Sequence, residues 1–110
     1  MKLLIQSKGF SVTEGLRNFV KTNMRFVLTR YAGSLDHAQV TLLDINGPRG
    51  GEDKRCRVKV KMHGMAPIVI QETDSDMYEA IRSCCNRLKR TVDRHTNRIR
   101  DQLQTSRSRF

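Results

Sequence analysis

Apolar and basic residues alternate over residues 54–62, and this is the clearest pattern in the chain. An alternation with a period of two predicts a strand with one buried side and one solvent-facing side. The apolar side consists of Cys56, Val58, Val60 and Met62. The other side consists of Arg55, Arg57, Lys59 and Lys61. We therefore expect a half-buried strand whose exposed side is basic.

Three weaker alternations predict further strands. In residues 2–8, Leu3 and Ile5 fall on one side of a predicted strand. In residues 37–45, Ala38, Val40 and Leu42 alternate in the same way. Residues 68–73 follow a short turn and form the last predicted strand. Residues 46–51 are rich in Gly, Pro and Asn, so we expect a mobile connection there.

Apolar residues three or four positions apart predict a helix before the second strand. Ser11 and Glu14 have the spacing of a capping box, and Thr13 is an equally good N-cap. The helix should continue to about Tyr31. Its apolar positions are Leu16, Phe19, Val20, Val27 and Tyr31.

A longer helix is predicted at the end of the chain. Asp74 or Ser75 should cap it, and it should run from about Asp76 to Leu103. The side chains on its apolar line are Met77, Ile81, Cys84, Leu88, Val92, His95 and Ile99. The same spacing is close to a coiled-coil seam, but packing against the sheet is the simpler interpretation.

The predicted order β-α-β-β-β-α defines an α+β fold. We expect a four-stranded sheet with two helices packed on one face, because three consecutive antiparallel strands expose one face for the helices to cover. Residues 1–103 should form one domain, which suits a chain of 110 residues. Residues 104–110 should form a basic, frayed tail.

The chain carries 21 Lys and Arg against 11 Asp and Glu, a net charge of +10. A field of this sign attracts polyanions, of which nucleic acid is the commonest and an anionic membrane surface the main rival. No segment is long or apolar enough to predict a signal peptide or a membrane span. Cys56, Cys84 and Cys85 are interpreted as reduced and structural, which favours a cytoplasmic protein.

The last helix carries a stripe of arginines away from its apolar line. At about 100° per residue, the spacing of these positions places them within about 80° of one another. The stripe consists of Arg87, Arg90, Arg94 and Arg98. Lys89 lies on the other side of the apolar line from this stripe. Arginine suits phosphate because its planar fork can bind two oxygens, so the stripe predicts contacts with a nucleic-acid backbone.

The residues needed for catalysis or metal binding are not grouped in the sequence. His37, His63 and His95 fall in different predicted elements without ligands at metal spacing. The acidic residues 72, 74 and 76 are interpreted as capping and complementing the dipole of the last helix. We therefore predict no enzyme, no metal and no cofactor.

The run Asp76-Met77-Tyr78-Glu79-Ala80-Ile81, followed by basic helix residues, resembles the ribosome hibernation-promoting factor and ribosome-associated inhibitor (YfiA-like) family. Residues 12–20 are similar to the start of that family's first helix, and the likeness covers residues 1–98. The family's basic residues after this run fall on Arg87, Arg90 and Arg94. At two positions where the family commonly has lysine, this sequence has Asn23 and Phe26.

The resemblance implies a non-catalytic function. It implies binding to the rRNA of the small ribosomal subunit in the decoding channel, where the domain blocks mRNA and tRNA during stasis. We expect a short-type member that is monomeric off the ribosome and needs no membrane or small-molecule substrate. The predicted RNA-binding residues are Arg87, Arg90, Arg94, Arg98, Lys89, Arg57, Lys59, Lys61, Lys21 and Arg25.

Two other functions fit the same features. A generic double-stranded-RNA-binding module also combines a three-stranded sheet with two helices, and it would bind plain duplex RNA without preferring ribosomes. A divergent paralogue acting as a protein-interaction domain would use the long apolar line of the last helix instead.

Overall fold

The computed structural model describes residues 3–45 and 53–108, with side chains up to residue 96. The predicted mobile connection at 46–51 lies outside the described residues. The elements are β1 (Leu3–Lys8), α1 (Glu14–Asn23), α2 (Arg25–Arg30), β2 (Leu35–Asp44), β3 (Lys54–Met62), β4 (Ile68–Asp74) and α3 (Met77–Ser108). The α+β class and the four predicted strands are confirmed, and one predicted helix is divided in two.

The four strands form one sheet in the order β1-β2-β3-β4. β3 is antiparallel to both β2 and β4, as predicted, and β1 pairs with β2 in parallel. The register aligns Ile5, Val40, Val58 and Ile70 in one row across the sheet. Because alternate residues point to opposite sides, this row fixes which face of every strand belongs to the core.

The predicted first helix is interrupted at Met24. α1 ends at Asn23, whose side-chain Nδ2 donates a hydrogen bond of 2.9 Å to the Phe19 carbonyl and so competes for a helical acceptor. Met24 is fully buried and joins α1 to α2 without losing the apolar line of the two helices. At the start of α1, Thr13 is the cap, because its Oγ1 accepts from the Leu16 N–H at 3.1 Å.

α3 packs on the core face of β3 and β4. Asp76 caps it by accepting from the Tyr78 N–H at 3.0 Å, so the predicted caps at 74 or 75 were wrong by one or two positions. The helix also continues to Ser108, beyond its predicted end at Leu103. Five residues of the predicted apolar line are buried in the core, namely Met77, Ile81, Cys84, Leu88 and Val92. His95 is half-buried, and the Ile99 side chain lies outside the described part of the helix.

The three cysteines are reduced and buried between α3 and the sheet. The Cys84 thiol donates to the carbonyls of Cys56 and Ile70, at 3.4 and 3.3 Å. These contacts join α3 to two strands. Burial, with a smaller effect from Cys84, raises the pKa of Cys85 to about 12, so its reactive thiolate is scarce at neutral pH. The structural role that the sequence predicted for the cysteines is confirmed.

Candidate nucleic-acid interface

The outer side of α3 presents a row of exposed cations. Leu88 and Val92 are fully buried against the sheet, and this fixes the rotation of the helix about its axis. Arg90 and Arg94 then point to solvent, as does Lys89 on the flank of the helix nearer α1. Within residues 3–45 and 53–96, none of these three side chains forms an ion pair or a side-chain hydrogen bond. Their charges are therefore available to an external anion.

Arg87 differs from the rest of the predicted stripe because it already has an anionic partner. Its guanidinium donates to the Glu72 carboxylate at 2.7 Å and to the Gln71 carbonyl at 3.4 Å. Glu72 lies in β4, so its predicted role at the start of α3 was wrong. The capping role does hold for Asp76. The charge of Arg87 is therefore shared between the protein and any ligand.

Asp93 is the acidic residue nearest the exposed arginines along α3, and it is directed towards α2. The Tyr31 hydroxyl donates to its carboxylate, and Arg30 lies 3.5 Å from the same oxygen. Desolvation, followed by the hydrogen bond to Asp93, raises the pKa of Tyr31 above its ordinary value. The phenol therefore stays protonated as a donor at neutral pH. Asp93 is thus bound to α2 and leaves the charges of Arg90 and Arg94 uncompensated.

The predicted contacts at the first helix centre on the junction of α1 and α2. Lys21 and Arg25 are both exposed there. Asn23 is occupied by its bond to Phe19, and Phe26 packs against the hydrophobic core. This junction therefore offers fewer cations than the outer side of α3.

The predicted basic residues of β3 lie on the opposite side of the domain. Arg57 and Lys59 are exposed on the face of the sheet that α3 does not cover, since Val58 and Val60 on the other face are fully buried. Lys61 is half-buried, and its Nζ donates to the carbonyls of Met62 and Met65. The predicted RNA-binding residues are thus divided between two surfaces.

The sequence contains a further basic residue on the sheet that was not predicted as a contact. Lys8 is exposed at the end of β1, on the same side as Arg57. The period-two pattern of residues 2–8 was the available signal, because it assigns Lys8 to the side opposite Leu3. The remaining predicted contact, Arg98, has its side chain outside the described residues.

The described residues contain no group of His, Cys, Asp and Glu that could hold a metal ion. Within the same part of the chain, no helix is both long enough and apolar enough to cross a membrane.

The fold and the exposed cations define a small basic α+β domain with a cationic outer helix. The sequence profile of the family described as "Sigma 54 modulation protein / S30EA ribosomal protein" matches residues 3–100. The chain belongs to this family, which confirms the resemblance found in the sequence. No curated protein sequence matches the chain.

Two solved structures have the same fold. The crystal structure of the Thermus thermophilus Protein Y N-terminal domain is 25% identical with a TM-score of 0.71, over 86% of this chain and 99% of that one. A ribosomal subunit interface protein from Coxiella burnetii is 14% identical with a TM-score of 0.73, over 88% and 99% of the two chains. The second likeness, at its low identity, concerns the fold alone.

Proposed function

We propose that this protein is a ribosome hibernation factor that binds small-subunit rRNA in the decoding channel and blocks mRNA and tRNA during stasis. The observation that carries the proposal is the exposed pair Arg90 and Arg94, whose charges no described carboxylate compensates. The family description names a ribosomal protein, and this supports the choice of partner. We expect the protein to act in the cytoplasm as a monomer off the ribosome.

The mechanism requires no bond to form or break. The guanidinium groups of Arg90 and Arg94 each donate to phosphate oxygens, and Lys89 adds a point charge beside them. α3 holds these groups at fixed positions because its opposite side is packed on the sheet. The bound domain then occupies volume that mRNA and tRNA would need, so inhibition is steric.

Phosphate contacts of this kind give RNA binding without much sequence information. Specificity for one site on the ribosome must then come from shape and from the placement of several contacts together. Lys21, Arg25 and the shared Arg87 are further exposed cations on the helical side of the domain. We propose that they contact rRNA around the central pair.

Binding to small subunits should weaken steeply with salt. Each neutralised phosphate releases counterions, so the logarithm of the affinity should fall by about 0.7–0.9 per contact for each logarithmic unit of salt. Co-sedimentation of the protein with purified small subunits over a salt series measures this slope. Plain duplex RNA, added as competitor at equal phosphate, should displace little protein. Failure to pellet with subunits at low salt would contradict the proposal.

Replacing Glu72 with Gln should strengthen RNA binding severalfold. The change removes the negative charge 2.7 Å from the Arg87 guanidinium but keeps a neutral acceptor there. Arg87 is then free to pair fully with phosphate. The measurement is the affinity for small subunits at moderate salt, and the control is Glu79→Gln, which removes the same charge beside Arg82. Equal effects of the two variants would show that only net charge matters.

A further inference from the structure

The open face of the sheet contains a shallow polar depression away from α3. Side chains from three strands line it, and its volume is about 230 Å³. The lining residues are Gln6, Lys8, Gln39, Thr41, Arg57 and Lys59. In the described part of the chain, all three helices pack on the other face, so the depression is open to solvent.

The charges on this face are not compensated. Among the described strand residues, no position in register with Arg57 and Lys59 on this side is Asp or Glu. Arg57 donates from Nε and one terminal nitrogen to the Gln71 Oε1, at 3.0 and 2.8 Å. Gln71 is neutral, so it orients the guanidinium without cancelling its charge. Lys54, by contrast, lies 3.1 Å from two carboxylates at the end of the same strand.

The spacing of the cations suits a phosphate chain. Arg57 and Lys59 are two residues apart on one strand, which separates them by about 7 Å along it. Lys8 lies two strands away, about 10 Å across the sheet. The amides of Gln6 and Gln39, which are joined by a 2.9 Å hydrogen bond, supply donors and acceptors between them. A solvated strand face would ordinarily mix charges of both signs, and this one does not.

We propose that this open face is a second RNA-binding surface that holds the backbone of an RNA segment separate from the one on α3. The proposal shares its partner with the proposed function and rests on it to that extent. α3, about 10 Å across with its side chains, and the sheet lie between the two surfaces. A straight RNA segment can therefore reach only one of them. None of the residues that line the depression is aromatic, so the contact there is with phosphate and sugar rather than stacked bases.

The test counts binding sites with a short oligouridylate at low salt. Calorimetric titration should give two oligonucleotides per wild-type protein. It should give one for Arg57→Gln with Lys59→Gln, and one for Arg90→Gln with Arg94→Gln. The control, Ser11→Glu with Ser75→Glu, lowers the net charge equally at two exposed positions in the segments that precede α1 and α3 and should still bind two. A count of two for the sheet variant overturns the proposal.

Two further measurements separate this proposal from the ribosome hypothesis. The sheet variant should also lower the salt slope of small-subunit binding by about 1.5, the value for two lost phosphate contacts. Loss of one oligonucleotide site without any ribosome binding would support the sheet surface and contradict the proposed function. An unchanged salt slope and site count would contradict the sheet surface alone. Displacement of the sheet-bound oligonucleotide by polyglutamate at equal charge would show a general polyanion surface and overturn the RNA assignment.

Discussion

Arg90→Gln combined with Arg94→Gln is expected to lower the affinity for small subunits on the order of 100-fold at moderate salt. Hydrogen bonds to charged groups contribute about 1.5–3 kcal/mol each, and the variant removes those of two guanidinium groups. The salt slope should fall by about 1.5 at the same time, because two phosphate contacts are lost. Co-sedimentation over a salt series measures both quantities.

The fold should not be affected by this double substitution. Both side chains are exposed, and neither has an ion-pair partner among the described residues. Changes at such positions usually alter stability by less than about 0.5 kcal/mol. The control is Ser11→Glu with Ser75→Glu, which changes the net charge by the same amount at two other exposed positions. If the two variants bind subunits equally well, the outer side of α3 is not the interface.

Leu88→Ala is expected to destabilise the domain by about 2–5 kcal/mol, the range for removing a large buried aliphatic side chain. Leu88 is fully buried between α3 and the sheet, so its loss leaves a cavity beneath the exposed cations. This is a large part of the roughly 5–15 kcal/mol that stabilises an ordinary domain. Urea denaturation followed by circular dichroism measures the change.

Asn86→Ala is the matched control for this substitution. Asn86 is exposed on the same turn of α3, and the change should alter stability by less than about 0.5 kcal/mol. Below its own unfolding temperature, the Leu88→Ala variant should bind RNA with the same affinity as the wild type. If Leu88→Ala lowered the free energy of unfolding by less than about 1 kcal/mol, this would contradict the packing of α3 described above.

The strands and the core could be predicted from residue patterns because burial imposes a period on the sequence. β3 has the bounds that its alternation indicates, and five residues of the predicted apolar line of α3 are buried. Ala80 and Cys85, which were not assigned to that line, are buried as well. The break between α1 and α2 could not be predicted in this way. Leu16, Val20, Met24 and Val27 keep a helical spacing through it, so the apolar pattern is the same with or without a break.

The candidate interface was predictable residue by residue but not as an arrangement. The Arg87–Glu72 pair joins a helix to a strand, and only their packing brings these residues together. The outward direction of Lys59 on its strand and of Arg90 on its helix could each be read from a local period. Because α3 packs against the face of the sheet that carries Val58 and Val60, Lys59 and Arg90 point away from opposite sides of the domain.

The separation of buried and exposed positions around α3 has an evolutionary consequence. Leu88 and Val92 maintain the fold, whereas Arg90 and Arg94 do not contribute to the core. Selection for folding does not oppose substitutions on the outer side of α3. Such substitutions can therefore accumulate and change ligand affinity. The shared fold at 14% identity with the Coxiella burnetii protein is compatible with such drift. Paralogues of this fold can thus differ widely in how tightly they bind while remaining equally stable.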